Sequence, residues 1–283
     1  MTAPFGLFDL EVTGVARLSP SLVRVTFTGP GLGAFAAGGR DQSLSLFLPH
    51  PGQPEPVLPP ADQDQSAWYA AYRALPDDVR AVMRSYTVRE QRRSPAEEVD
   101  IDFAVHPDGG PACAWAEQAA PGDRVTVLGP AVADNSGVRF RLPEAADWVL
   151  IWADETALPA AAAILEWLPA GTKAKVWLEV PCAEDMLELK TAAEVETSWL
   201  VRAAGDASGA HRTERAVEAV RAAELPQGTP YCWIAGEAGT VKALRRHLVN
   251  ERGFDRRSVT FTGYWRLGAS EDRLREEPVA EDQ

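Results

Sequence analysis

The stretch Arg84-Ser85-Tyr86-Thr87-Val88-Arg89 sets a guanidinium, a phenol ring and a hydroxyl in quick succession. Read as a strand, it places Arg84 and Tyr86 on one face. A cation beside a flat aromatic suits a planar ring system tethered to phosphates, as a flavin is. About twenty residues later comes His106-Pro107-Asp108-Gly109-Gly110-Pro111-Ala112-Cys113-Ala114-Trp115, which is rich in small residues and runs into a helical pattern over Ala114–Ala119. A helix N-terminus presents free N–H groups and a partial positive charge, which makes it a natural seat for a pyrophosphate.

Working outward, the first half of the chain alternates with a period of two. Leu22, Val23, Val25 and Phe27 form one such run; Leu44, Leu46 and Leu48 form another. Val99, Ile101, Phe103 and Val105 alternate with Asp100, Asp102 and Ala104, Val125 and Val127 follow the turn signal at Pro121-Gly122-Asp123, and Val138, Phe140 and Leu142 complete the series. Runs of this kind broken by Gly and Pro predict an antiparallel barrel or sandwich. A Pro-rich segment and a helix near Trp68–Ala74 read as an insertion on it, over about residues 50–82.

The pattern changes near residue 145. Trp148-Val149-Leu150-Ile151-Trp152 is a continuous apolar run, expected of a strand buried on both faces. A helix over 156–168 with Thr156 as N-cap follows, then strands over 175–180 and 196–201, a helix over 212–223, a strand over 231–235, a helix over 241–251 and a last strand over 258–264. Strands alternating with helices predict a parallel sheet. The charged tail from Ser270 reads as mobile, with Leu274 available to dock. The expected domains are 1–143, an antiparallel β-barrel, and 144–283, an α/β domain: a two-domain β + α/β chain.

Composition narrows the function. With 28 Lys and Arg against 41 Asp and Glu, the net charge is −13, which argues against nucleic acid and anionic membrane as partners. Cys113, Cys182 and Cys232 are an odd set without Cys-x-x-Cys spacing, so neither a disulfide framework nor a zinc site is predicted. There is no signal-like opening segment and no apolar run of roughly 20 residues. The expected location is cytoplasmic, as a monomer or weak homodimer.

Taken together, Met83–Arg89, His106–Trp115, Asp154-Glu155-Thr156-Ala157-Leu158-Pro159-Ala160, Ala235-Gly236-Glu237-Ala238 and Gly263-Tyr264-Trp265-Arg266 resemble the siderophore-interacting protein family of ferric-siderophore reductases, within the ferredoxin-reductase superfamily. They span roughly residues 10 to 272 in family order. The resemblance implies an FAD-binding barrel followed by a domain for NADH or NADPH. Arg84, Ser85, Tyr86, Thr87, His106, Gly109, Gly110, Pro111, Ala112 and Cys113 are then flavin-site candidates. Asp154, Glu155, Thr156, Ala157, Gly236 and Glu237 are candidates for the nicotinamide nucleotide, the two acids meeting ribose hydroxyls or the carboxamide. Glu184 and Asp185, after the second strand of that domain, stand where an acid grips a ribose 2′-hydroxyl in a simple dinucleotide fold.

The implied reaction runs from NAD(P)H through FAD to a ferric siderophore, whose Fe(II) form is released. No side chain acts as acid, base or nucleophile. Arg266, Trp265 and Lys242 are candidates for the siderophore. The family resemblance also implies a lysine where Ser45 stands and a second cation where Leu267 stands. Their absence favours a neutral hydroxamate complex over an anionic one. Two alternatives remain open at this point: a flavoprotein reductase with a quinone, flavin or redox-protein acceptor, and a non-catalytic iron-chelate binder.

Overall fold

The structure is a computed structural model and describes residues 3–61, 64–107, 109–202 and 209–276. The chain divides into two compact units, Met1–Arg139 and Phe140–Gln283.

The first unit contains β1 (Phe5–Ser19), β2 (Leu22–Thr28), β3 (Ser43–Leu48), α1 (Gln65–Ala74), β4 (Val82–Thr87), β5 (Glu90–Arg92), β6 (Glu98–Ala104), α2 (Pro111–Gln118) and β7 (Arg124–Pro130). The strands form one antiparallel sheet in the order β4-β3-β7-β1-β2-β6-β5. It curls until β4 touches β6, giving the expected barrel-like form. Alternation supplies the core: Phe8, Leu10 and Val12 from β1 meet Val25 and Phe27, Leu44 and Leu46, Ile101 and Phe103, and Val125 and Val127.

The long strand β1 was not expected. Its first half pairs with β7 and its second with β2, with register shifts between Val12 and Gly14 and between Arg17 and Ser19. Each shift moves the inward phase by one residue and blurs the period-two signal.

The strand expected at Val138, Phe140 and Leu142 does not form. Val138 and Phe140 are buried, but the neighbouring backbone groups bond to side chains instead of to a ladder. Arg139 N–H donates to Asp41 Oδ1 at 2.9 Å, and Arg141 N–H donates to the Tyr231 hydroxyl oxygen at 3.0 Å. The helix expected near residue 68 is α1, capped by Asp64, whose carboxylate accepts from the N–H groups of Ser66 and Ala67. It lays Trp68 and Tyr72 against Phe47 and Met83 in a small second core.

The second unit contains β8 (Trp148–Ala153), α3 (Leu158–Trp167), β9 (Lys173–Val180), β10 (Glu194–Val201), α4 (Gly209–Ala222), β11 (Pro230–Glu237), α5 (Ala238–Arg246), β12 (Val259–Trp265) and α6 (Glu271–Glu276). All its strand pairs are parallel, in the order β10-β9-β8-β11-β12. Trp148, Leu150 and Trp152 pack with residues of α4 and α5, while Val149, Ile151 and Ala153 are equally buried on the other face. The uninterrupted apolar run of β8 follows from that two-sided burial.

Two helix details depart from expectation. The N-cap of α3 is Ala157 and has no side-chain cap bond. The helix expected to reach residue 251 leaves α-geometry after Arg246 and closes with a π-helical turn, His247–Glu251. The tail from Ser270 carries α6; the side chain of Leu274 and residues 277–283 lie outside the described residues.

Candidate functional site

In the first unit, β4 pairs with β3 so that Leu44 opposes Tyr86 and Leu46 opposes Arg84. Both candidates therefore lie on the core side of the sheet, where both are half-buried. The Tyr86 ring sits 4.4 Å from Phe103, Phe103 lies 5.8 Å from Trp115, and Trp115 stacks on Phe27 at 6.2 Å. This aromatic chain links β4, β6 and α2 and fixes the plane of Tyr86. Arg84 Nη1 donates to the Met83 carbonyl at 2.8 Å, which holds the guanidinium close to its own strand. Thr87 is buried. Ser85 is exposed and faces Ser45 across the ladder.

The helix α2 starts at Gly110, which has no side chain to cap the first N–H groups, with Pro111 at the first turn. An added Cβ on Gly110 would meet nothing within 4 Å, so this helix start opens onto free space. Gly109 is the reverse case: its Cβ would stand 2.3 Å from Cys113 Cβ and 2.4 Å from Cys113 Sγ. Only glycine lets the loop close that tightly on the helix. The Cys113 thiol donates to the Ala104 carbonyl at 3.1 Å, and burial pushes its pKa up. It points back into the fold, and what the helix start presents is backbone N–H. Ala112 is buried beside it, and His106 is exposed just past β6, its carbonyl accepting from Gly109 N–H.

In the second unit the strand order reverses between β8 and β11, the place in an open parallel sheet where ligands settle at the carboxyl ends. Asp154 and Thr156 follow β8; Gly236 and Glu237 end β11. The Asp154 carboxylate is fully buried and satisfied from within the protein. Oδ1 accepts from Thr156 N–H at 3.0 Å and from the Thr156 hydroxyl at 2.6 Å; Oδ2 accepts from Glu237 N–H and Trp265 Nε1–H, both at 2.8 Å. These four bonds hold the carboxylate within the protein, where sequence had assigned it to a ribose or carboxamide. They also account for Thr156, whose hydroxyl serves Asp154 instead of capping α3. Gly236 adopts φ +142° with its Cα against that carboxylate, leaving 2.5 Å for a Cβ. Burial pushes the Asp154 pKa up, against the pull of its hydrogen bonds.

Glu155 turns into a part-buried ion cluster that the sequence did not announce. It pairs with Arg202, and with Arg212 at 3.9 Å. Glu179 Oε1 accepts from Arg202 Nε at 2.8 Å and from Arg212 Nε at 2.7 Å. The quartet sits at the carboxyl edge of β8, β9 and β10, and its charges sum to zero when all four are ionised. Burial and the adjacent Asp154 charge push Glu155 up to about 7, against the attraction of both arginines. The Arg212 guanidinium also lies 5.2 Å over the Trp265 ring.

Glu237 caps α5 by accepting from Thr240 N–H at 2.8 Å. It also lines an open groove of about 730 Å³ with Gly209, Thr213, Glu214, Gly239 and Arg246. Asp185 is buried, its carboxylate accepting from Cys182 N–H and from the Cys182 thiol, so it serves the turn after β9. Of the substrate candidates, Lys242 and Arg266 are exposed and Trp265 is half-buried. Arg245 stacks at 4.4 Å over Phe261. Ala157 is buried at the start of α3.

Residues 11–134 match the siderophore-interacting FAD-binding domain, and residues 146–268 match the siderophore-interacting protein domain. The chain belongs to the siderophore-interacting protein family. It is 32% identical to the ferric vibriobactin reductase ViuB of Vibrio cholerae over 92% of this chain and 89% of that one. It is 31% identical to the NADPH-dependent ferric-chelate reductase of Escherichia coli K12 over 91% of this chain and 92% of that one. The crystal structure of the siderophore-interacting protein SipS from Aeromonas hydrophila superposes with a TM-score of 0.75 at 32% identity, covering 96% of each chain. The antiparallel sheet followed by a parallel one is the ferredoxin-reductase-like arrangement of this family.

Proposed function

We propose that this chain is an FAD-dependent ferric-siderophore reductase that draws electrons from NADH or NADPH. The observation that carries the reading is the meeting of β4 and α2: Arg84 and Tyr86 share one face of a strand that touches a helix whose start is uncapped and open. The fit to FAD is good on three counts. A cation, a fixed aromatic plane and backbone N–H groups at a helix start that no side chain caps match a phosphate, a planar ring and a pyrophosphate.

The protein's work is binding and orientation. The Arg84 fork would hold phosphate oxygens, Tyr86 would pack on the ring system or its ribityl chain, and Thr87, at the end of the same strand, would supply a hydroxyl to the ring's polar edge. Ser85 and His106 flank the site. N–H groups at the start of α2 would hold the pyrophosphate, with Gly109 and Gly110 giving the close approach. FAD, when bound, supplies the conversion between a two-electron nicotinamide donor and one-electron Fe(III). Thr156, Ala157, Gly236 and Glu237 edge the donor's place at the sheet's switch point. Exposed Arg266, with Lys242, offers charge to an anionic chelate. The division at about residue 143 then separates a flavin domain from a donor domain.

Among the described residues no helix is long and apolar enough to cross a membrane. A cytoplasmic location, where nicotinamide donors are at hand and thiols stay reduced, fits the free Cys113, Cys182 and Cys232. Protein purified without added cofactor should be yellow and release FAD on denaturation. With NADPH or NADH it should deliver Fe(II) from a ferric siderophore to a ferrous-specific chelator. Donor oxidation with a quinone but none with any ferric chelate would assign the scaffold to another acceptor. Colourless protein that binds no added FAD would refute the flavin reading.

A further inference from the structure

The strands β11 and β12 pair in even register from Cys232 opposite Val259 to Gly236 opposite Gly263, and then the register jumps. Glu237 faces Trp265, and Tyr264 is the extra residue. A bulge of this kind bends the strand and re-aims the side chains around it. What it aims here is Trp265-Arg266-Leu267, and both neighbours of Arg266 are held. The Trp265 indole N–H donates to Asp154 Oδ2 at 2.8 Å while Arg212 stacks over the ring at 5.2 Å. Leu267 N–H points to Glu237 Oε1 at 3.4 Å, and its side chain packs on the start of α4, where a Cβ on Gly209 would come within 2.7 Å of it. The turn closes through Ala269 N–H to the Arg266 carbonyl at 3.1 Å, with Gly268 at φ +77°.

A fully buried carboxylate is costly to keep unless its oxygens are bonded. Asp154 meets that condition with donors from three strand ends, namely its own junction after β8, Glu237 at the end of β11 and Trp265 at the end of β12. An ionised carboxylate only accepts, and every one of these neighbours donates. Asparagine, of equal size, would turn an NH₂ group toward at least one N–H.

We infer that Asp154 is a positioning residue for the acceptor: it anchors Trp265 and thereby sets where the Arg266 guanidinium stands. This rests on the reading of Arg266 as a cation that meets an anionic ferric chelate. Asp154 touches neither substrate nor cofactor, and its effect on turnover passes through the 265–267 turn. Loss of that anchor shifts the turn that carries Arg266 away from the position that matches the chelate. The loss is felt by charged acceptors and hardly by neutral ones.

The test uses the FAD-loaded protein and the variants Asp154→Asn, Trp265→Phe, Arg266→Ala and the Asp154→Asn/Arg266→Ala double. For each, kcat/KM is measured with an anionic ferric tricatecholate and with a neutral ferric trihydroxamate, and the ratio of the two is compared. Arg266→Ala, Asp154→Asn and Trp265→Phe should each lower the anionic-to-neutral ratio by about tenfold or more, the loss expected when a hydrogen bond to a charged group is removed. The double variant should fall no further than Arg266→Ala alone, because the two act as one unit. If Asp154→Asn does not fold, Trp265→Phe combined with Arg266→Ala gives the same cycle. An unchanged ratio in Arg266→Ala would remove Arg266 from the acceptor site and the inference with it. Ratios that fall in both single variants and multiply in the double would keep Arg266 and overturn the role of Asp154. Equal loss on both acceptors, traced to slower flavin reduction by the donor, would place Asp154 in the donor site and overturn it as well.

Discussion

Replacing Arg84 with alanine removes a guanidinium fork from the core side of β4 while leaving Leu46, its partner across the ladder, in place. Hydrogen bonds to charged groups contribute roughly 1.5–3 kcal/mol, so FAD affinity should fall about ten- to a hundredfold with the fold intact. Titration of the apo-protein with FAD reads this directly, and unchanged affinity would take Arg84 out of the site. A second single-residue test concerns Glu155, raised from 4.5 to about 7. Between those pH values the folded chain binds more protons than the unfolded one, so stability falls as pH rises through the window. The loss is absent below about pH 4.5, complete above about pH 7, and amounts to at most about 3 kcal/mol. Glu155→Gln should flatten this part of the profile when urea midpoints are compared at pH 5 and pH 8; parallel profiles would show that another group titrates there. Arg84 and Tyr86 were legible because two residues on one strand share a face by parity alone. Glu179, Arg202 and Arg212 were not, since only the fold brings them to Glu155. One signal was available: Glu179 interrupts the apolar run Val176-Trp177-Leu178, and a charge near the carboxyl end of a buried strand needs a partner.

At the scale of elements, helix α4 ends against Arg252, whose Nη2 donates to the carbonyls of Val220, Arg221 and Ala223 at 3.3, 2.7 and 3.2 Å. These are the unsatisfied groups of a helix C-terminus, where a cation is favoured. Arg252→Ala should destabilise the protein by about 1–3 kcal/mol, read as a lower urea midpoint, with FAD affinity unaffected. A midpoint that does not move would mean that water replaces the guanidinium at no cost. Most elements were readable from their apolar pattern: β2 and β6 alternate in sequence, and β8 is the unbroken apolar run that burial on both faces requires. Elements failed where the chain satisfies its backbone by other means. β1 changes partner and phase midway, and Arg139 and Arg141 spend their N–H groups on Asp41 and Tyr231. The cap of α3 was misread for the same kind of reason, since the Thr156 hydroxyl is committed to Asp154.

For the whole molecule, the net charge of −13 gives no long-range attraction for an anionic substrate, so affinity for one must come from local cations. Ser45, half-buried and opposite Ser85, and exposed Leu267 stand where the family resemblance implies cations. At about 6 Å and an effective dielectric near 20, each missing unit-charge pair forfeits roughly 3 kcal/mol before salt screening. The native protein should therefore bind neutral ferric hydroxamates more tightly than trianionic ferric catecholates. Ser45→Lys should raise catecholate affinity more than hydroxamate affinity, with a gain that shrinks as salt is added. Binding constants that already favour the catecholate would show that other basic groups supply the attraction.

Electrons pass from a nicotinamide donor through bound FAD to a ferric siderophore, and anaerobic stopped-flow spectroscopy follows both halves in one protein. NADPH and NADH, mixed separately with the holo-protein, should bleach the flavin's visible absorbance with at least one of them. Mixing the reduced protein with a ferric siderophore should then restore that absorbance as Fe(II) appears. Flavin that neither donor bleaches, or reduced flavin that persists in the presence of every ferric chelate offered, would contradict the account.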